Sequence, residues 1–266
     1  MHLLLTTHAF LFGAIIGSFL NVVIHRLQTG ESLVFPASKC PSCHAPIRWY
    51  DNIPIVSYLI LRGRCRDCRN AISPRYPLVE LANALFYTAI FLRTGPTLGF
   101  IPLAAIVSMT IALIFIDLDI QILPDVIDLP GIAVGLIIGG LKLGSMPNDL
   151  TLATDLLDSV LGALLGGSLL YAIAMLYELV RKVEGMGLGD VKMLAMIGAV
   201  VGWQPLIPLL FIASFTGAIF GVTLALKQRQ GLQFAIPFGV FLGMAAFVVV
   251  FFGHTLLEWY RSLLLG

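Results

Sequence analysis

Eight stretches of this sequence stay apolar over about the thickness of a lipid bilayer, and no other feature narrows the possible folds as much. They run from about Leu3 to Ile24, then at 78 to 92, 98 to 116, 126 to 143, 156 to 180, 191 to 203, 205 to 226 and 234 to 253. Backbone polar groups that enter hydrocarbon must satisfy one another, so such stretches become helices or close into barrels. Long runs without two-residue alternation predict helices. With 58% apolar and 12% charged residues, the expected class is an all-α polytopic membrane protein of about eight transmembrane helices. The runs at 78 to 92 and 191 to 203 are short for a crossing of about 20 residues. The first run lacks the basic start and Ala-x-Ala end of a cleaved signal, so it is expected to persist as a helix.

Charge orients this arrangement. With the N-terminus outside, thirteen of the sixteen Lys and Arg fall on the cytoplasmic side, and Arg93, Lys142 and Arg261 on the other. A net charge of +1 gives no reason to expect a nucleic-acid partner. Membrane lipid is the partner this composition demands.

Carboxylates at the ends of apolar runs are costly and therefore informative. One cluster is Asp117-Leu-Asp119-Ile-Gln-Ile-Leu-Pro-Asp125; the other ends Glu184-Gly-Met-Gly-Leu-Gly-Asp190, followed by Val191-Lys192. Both fall on the cytoplasmic face under the orientation above. Asp117 and Asp119 are two apart and cannot face one partner from a helix. Asp117, nearer the hydrocarbon, is the candidate for chemistry, with Asp190 as its partner. Asp125, after Pro124, reads as an acid complementing the dipole of a new helix, and Asp128 as surface-facing. The glycines before Asp190 permit unusual backbone angles or close approach of another chain.

Residues 27 to 77 form the one substantial polar segment and hold all four cysteines, as Cys40-Pro-Ser-Cys43 and Cys65-Arg-Asp-Cys68. Two such knuckles can offer four thiolates to one structural Zn²⁺. Two disulfides are the rival, disfavoured in a reducing compartment. His44 reads as a neighbour of a shell the sulfurs already fill. So small a segment needs a metal to fold. Its Arg62, Arg64, Arg66 and Arg69 suit anionic lipid headgroups.

Other positions have more than one reading. Gly13 and Gly17 suit close helix packing, with Asn21 bonded to a neighbour, or Asn21 and Arg26 serve a site at the membrane surface. Glu80 complements a helix dipole or belongs to a site. Gly144 to Leu157 reads as an external connector, Lys192 as an interfacial anchor, and Pro237-Phe238-Gly239 as a kink.

Taken in order, Gly17-Ser18-Phe19-Leu20-Asn21 with Arg26, the knuckles, Asp117-x-Asp119 with Leu123-Pro124-Asp125, Glu184 to Lys192, and Pro237-Phe238-Gly239 resemble the bacterial type IV prepilin peptidases, membrane aspartyl proteases of the Gly-x-Gly-Asp type. The resemblance spans nearly the whole chain. It implies a first helix at 1–26, a cytoplasmic zinc-binding domain at 27–77 and a transmembrane protease domain at 78–266. It implies catalysis by Asp117 and Asp190 in the inner membrane, cleaving prepilin or pseudopilin leaders at the cytoplasmic face. The cysteine domain implies the bifunctional form, which also methylates the new N-terminus from S-adenosylmethionine. No Gly-x-Gly-x-x-Gly loop follows a predicted strand, so the methyl donor is expected near Glu80, Asn21 and Arg26. The chain departs from the pattern in a longer external loop and in Val240, where proline often follows Pro-Phe-Gly. A secondary transporter using the same acids is the alternative, but it calls for midplane sites and internal repeats, and the halves show no repeat.

Overall fold

The computed structural model describes residues 2–146, 149–182, 187–228 and 236–265. Nine α-helices occur among them: α1 (His2–Thr29), α2 (Val56–Ile60), α3 (Arg75–Thr94), α4 (Phe100–Ile120), α5 (Asp125–Gly140), α6 (Leu156–Arg181), α7 (Leu188–Val201), α8 (Leu206–Gln228) and α9 (Phe238–Leu265). All but α2 fall where apolar runs predict a helix. Among the described residues α1, α4, α6, α8 and α9 are long and apolar enough to cross a membrane. The chain is thus an all-helical, multi-pass membrane protein. At 16 and 14 residues, α5 and α7 are shorter helices, and a 14-residue helix is only about 21 Å long.

The chain forms two compact units, Met1–Ala112 and Leu113–Gly266, with the boundary inside α4. In the first unit α1 lies against α3 through its glycines. A Cβ on Gly13 would come within 2.8 Å of Ala84 Cα, and one on Gly17 within 2.7 Å of Glu80 Cα. Close approach brings buried polar groups into register: Asn83 donates to the Gly13 carbonyl at 2.7 Å, and the Ser108 hydroxyl donates to Asn83 at 2.9 Å. Asn21 donates to the Tyr76 carbonyl at 3.1 Å, as the packing reading expects.

In the second unit α7 is the central element. Met193, Leu194 and Met196 through Val201 are all buried, against α5, α6 and α9. Small residues allow this. A Cβ on Gly162 of α6 would run into the Gly198 carbonyl of α7, and one on Gly135 of α5 would meet the Ala199 side chain at 2.6 Å. Ser159 of α6 shares its hydroxyl between the carbonyls of Ala199 at 2.6 Å and Gly135 at 3.1 Å, tying three helices together. Helix α7 stops at Gly202, whose φ of +80° favours glycine.

The segment before α6 is more than the connector expected of it. The Thr151 amide donates to the Val250 carbonyl, and the Ala153 amide to the Val200 carbonyl, each at 2.8 Å. Leu150, Leu152 and Ala153 are buried. Asp155 caps α6 by accepting from the Asp158 amide at 2.8 Å.

Candidate active site and metal centre

Asp117 closes α4, and its side chain is 3% exposed. Its Oδ2 accepts the Val240 amide at 3.0 Å, in the first turn of α9. The unpaired amides of a helix start, reinforced by the helix dipole, make a natural seat for a carboxylate. This explains Pro237-Phe238-Gly239 better than a kink does: a Cβ at Gly239 would lie 2.9 Å from Asp117 Oδ2. Val240 contributes its backbone here, which a proline could not do.

Asp190 is partly buried in the first turn of α7, within electrostatic reach of Asp117. Gly189 lets this turn close on the link between α4 and α5, since a Cβ there would be 2.8 Å from Leu123 Cβ. Gly187 has an ordinary extended backbone, φ −72° and ψ 146°. At Gly189, therefore, close approach rather than an unusual angle is what the glycine provides. Glu184 and Gly185 lie outside the described residues.

The neighbouring acids divide. Asp119 is exposed. Asp125 opens α5 and takes both its oxygens to Lys192 Nζ, at 2.6 and 2.8 Å. Lys192 is thus an ion-pair partner across α5 and α7 rather than an interfacial anchor. Asp128 corrects the sequence reading outright: expected at the surface, it is 0% exposed. It shares a face with Gly131 and Gly135, one and two turns on, and that face packs inward.

In the first unit the Sγ atoms of Cys40, Cys43, Cys65 and Cys68 lie within 4.8 Å of one another. The two knuckles repeat one backbone pattern. The Cys40 amide donates to the Ala45 carbonyl and the His44 amide to the Cys40 carbonyl, each at 2.9 Å; the Cys65 amide donates to Asn70 at 2.9 Å and the Arg69 amide to Cys65 at 3.1 Å. His44 and Arg69 are the matched left-handed residues, φ 59° and 62°. His44 therefore serves the turn. All four cysteines are free thiols. The 3.9 Å between Cys40 and Cys68 sulfurs suits tetrahedral S–Zn arms of about 2.3 Å, which set sulfurs about 3.8 Å apart. Backbone amides of Cys43 and then Ser42 pull the Cys40 thiol down to about 6, while, against the Ala45 amide, burial and the neighbouring sulfurs push the Cys43 thiol up, so Cys40 is the first of the two to offer a thiolate.

Arg66 is committed elsewhere than to lipid. Its Nε and Nη2 grip Asp51 at 2.8 and 2.6 Å, and that guanidinium holds the Asp51 carboxyl below the usual range.

Asn21, Arg26 and Glu80 all line one cavity of 660 Å³ in the first unit, with Ser18, His25 and Tyr58. Each also braces the cavity wall. Arg26 donates to the carbonyls of Ser32 at 2.7 Å and Pro36 at 2.5 Å, and Glu80 accepts the Ile55 amide at 2.7 Å. Sequence reasoning missed Ser159, the buried Asp128 and the Val240 amide. Only Gly239, set before an apolar run, hinted at the last.

The described residues thus define an all-helical membrane protein that sets buried carboxylates near helix ends and gathers four cysteine sulfurs closely enough to hold a metal ion. Residues 11–94 match the family described as Bacterial Peptidase A24 N-terminal domain, and residues 104–222 match the Type IV leader peptidase family. The chain is 38% identical over 281 residues to the prepilin leader peptidase/N-methyltransferase of Aeromonas salmonicida, covering 96% of this chain and 94% of that one. The protein of the same name from Pseudomonas putida is 38% identical over 272 residues, 94% and 91% of the two chains. That from Burkholderia pseudomallei (strain K96243) is 33% identical over 270, 92% and 84%. No solved structure matches. This chain belongs to the type IV leader peptidase family.

Proposed function

We propose that this chain removes the leader peptide of prepilins or pseudopilins and then methylates the N-terminus it has exposed. The observation that carries the peptidase reading is the buried Asp117 carboxyl, seated on the start of α9 within electrostatic reach of Asp190. Two carboxyls so placed in a poorly hydrated site share one proton and titrate as a unit. The ionised member takes a proton from water, the oxygen attacks the scissile carbonyl, and the protonated member donates to the developing oxyanion. Proton return to the amine releases the leader, with no covalent intermediate.

The cysteine cluster supports a closed, structural Zn²⁺ site of Cys40, Cys43, Cys65 and Cys68. Eight spans, with domains at 1–26, 27–77 and 78–266, and an inner-membrane site facing the cytoplasm complete the reading; the charge bias supports that orientation. S-adenosylmethionine would supply an electrophilic methyl group, and the 660 Å³ cavity is within the range of small-molecule sites. Its wall offers what a sulfonium amino acid needs: Glu80 for a cation, Arg26 for a carboxylate, Asn21 for either polar end.

The test is cleavage of a prepilin peptide by the purified chain. Asp117→Asn and Asp190→Asn are each expected to lower kcat by about 10³-fold or more while methyl transfer to a pre-cleaved substrate continues. Full cleavage by either variant would overturn the assignment.

A further inference from the structure

In the cysteine-bearing segment α2 is turned inside out. Ser57 is buried, its hydroxyl donating to the Tyr50 carbonyl at 2.9 Å and accepting the Ile53 amide at 3.1 Å, while Val56, Leu59 and Ile60, at the spacing of one helical face, are exposed. Leu59 and Ile60 are 68% and 70% exposed. Apolar side chains gathered on an outward face call for a nonaqueous neighbour. The turn that follows is closed, the Arg62 amide donating to the Leu59 carbonyl at 3.1 Å and the Gly63 amide to the Tyr58 carbonyl at 2.9 Å. It places Arg62 and Arg64 directly after the apolar face, both exposed and neither in an ion pair among the described residues.

The depth of α2 follows from its anchor. The Ile55 amide, just before α2, donates to Glu80 of α3 at 2.7 Å. Glu80 lies level with Gly17 of α1, where an added Cβ would come within 2.7 Å of Glu80 Cα. The apolar run of α1 continues for seven residues beyond Gly17, to Ile24, which is about 10 Å at the rise of an α-helix. That exceeds the reach of a glutamate side chain, so α2 starts at the level of α1's apolar run rather than above it.

We propose that Val56, Leu59 and Ile60 form a wedge that enters the acyl edge of the leaflet in which α1 ends at Thr29, with Arg62 and Arg64 on the phosphates of anionic lipid headgroups. The apolar face matches the acyl boundary, as in helices that lie in a membrane interface, and the long arginine stems let the charges stay among headgroups. Arg66 takes no part, being committed to Asp51. The cysteine-bearing segment is thereby held to the membrane at a third place, besides its joins to α1 and α3. None of this depends on the peptidase reading.

The experiment uses the full chain in vesicles of equal parts phosphatidylcholine and phosphatidylglycerol. Its three tryptophans are replaced by Trp49→Phe, Trp203→Phe and Trp259→Phe, and Leu59→Trp supplies a single reporter on the outward face, with Ile60→Trp as a second should the first not fold. Lipid brominated in the upper acyl chain is expected to quench the reporter severalfold, and aqueous acrylamide scarcely at all. Quenching by acrylamide and not by brominated lipid would overturn the proposal. So would protection from both quenchers that vanishes on dilution into more lipid, because a second copy of the chain would then be covering the face. The arginines are read in otherwise wild-type protein by native mass spectrometry, as the preference for retaining phosphatidylglycerol over phosphatidylcholine. Arg62→Gln and Arg64→Gln are each expected to lower that preference about fivefold, and an unchanged preference in the double variant would overturn the proposal as well.

Discussion

The segment between α1 and α3 and the helix α7 are the two extremes of this molecule. Between residues 30 and 74 the one buried apolar side chain among the described residues is Cys40. Trp49, the bulkiest side chain there, is 82% exposed. Helix α7 has six consecutive buried residues from Met196 to Val201. The first region has almost no core to release water from, so its fold must come from backbone turns, the Asp51–Arg66 fork and whatever the four sulfurs hold. The second is held by close packing that tolerates no added atom at Gly162 or Gly198. A single chain thus joins a segment with little core and four clustered sulfurs to a packing-dependent one, and the two should fail under different insults.

Metal removal should separate them most sharply. Chelation, or Cys65→Ser, is expected to make the segment between α1 and α3 protease-sensitive and to abolish methyl transfer, while cleavage falls far less. Zinc analysis of the untreated chain should give about one ion per chain. Equal loss of both activities would break the contrast.

Packing changes should do the reverse. Gly198→Ala forces a methyl group into the Gly162 carbonyl and is expected to cost about 1–3 kcal/mol, read as a lower Tm in detergent. Gly140→Ala is the matched control: nothing lies within 4 Å of its added carbon, so Tm should hold or rise, by up to about 1 kcal/mol of stability.

A smaller effect should sharpen the division of labour inside the first unit. Glu80→Gln keeps an acceptor for the Ile55 amide but removes the charge. We expect methyl transfer to fall about tenfold, or about 1.4 kcal/mol, with cleavage unchanged; normal methylation by this variant would remove Glu80 from the donor site. Smallest of all, Lys192→Met breaks a pair whose side chains are 34% and 56% exposed. A stability loss below about 1 kcal/mol is expected, measured by thermal unfolding.

Much of this was legible in the sequence because charge in an apolar context is expensive. Asp117 and Asp190 stand out at the ends of apolar runs, and the cysteine spacing declares its cluster. The glycines of α1 marked it for close packing, though not which helix would fill the space; α3 does. Asp128 was not legible: α5 is apolar on every side, so no periodicity marks its inward face, and the acid was assigned to the surface by residue type. The segment before α6 misled in the same way, since polar composition does not reveal backbone amides bonded to Val250 and Val200. Ser159 carried no signal, because a lone serine in a membrane helix usually bonds within its own turn.

Non-additivity between the two acids is the most direct measure of whether they act as one unit. Cleavage rates of Asp117→Asn, Asp190→Asn and the double variant should be nearly equal, since removing either member of a cooperating pair removes its function. Losses that instead multiply in the double variant, as for independent sites, would contradict a shared aspartate pair.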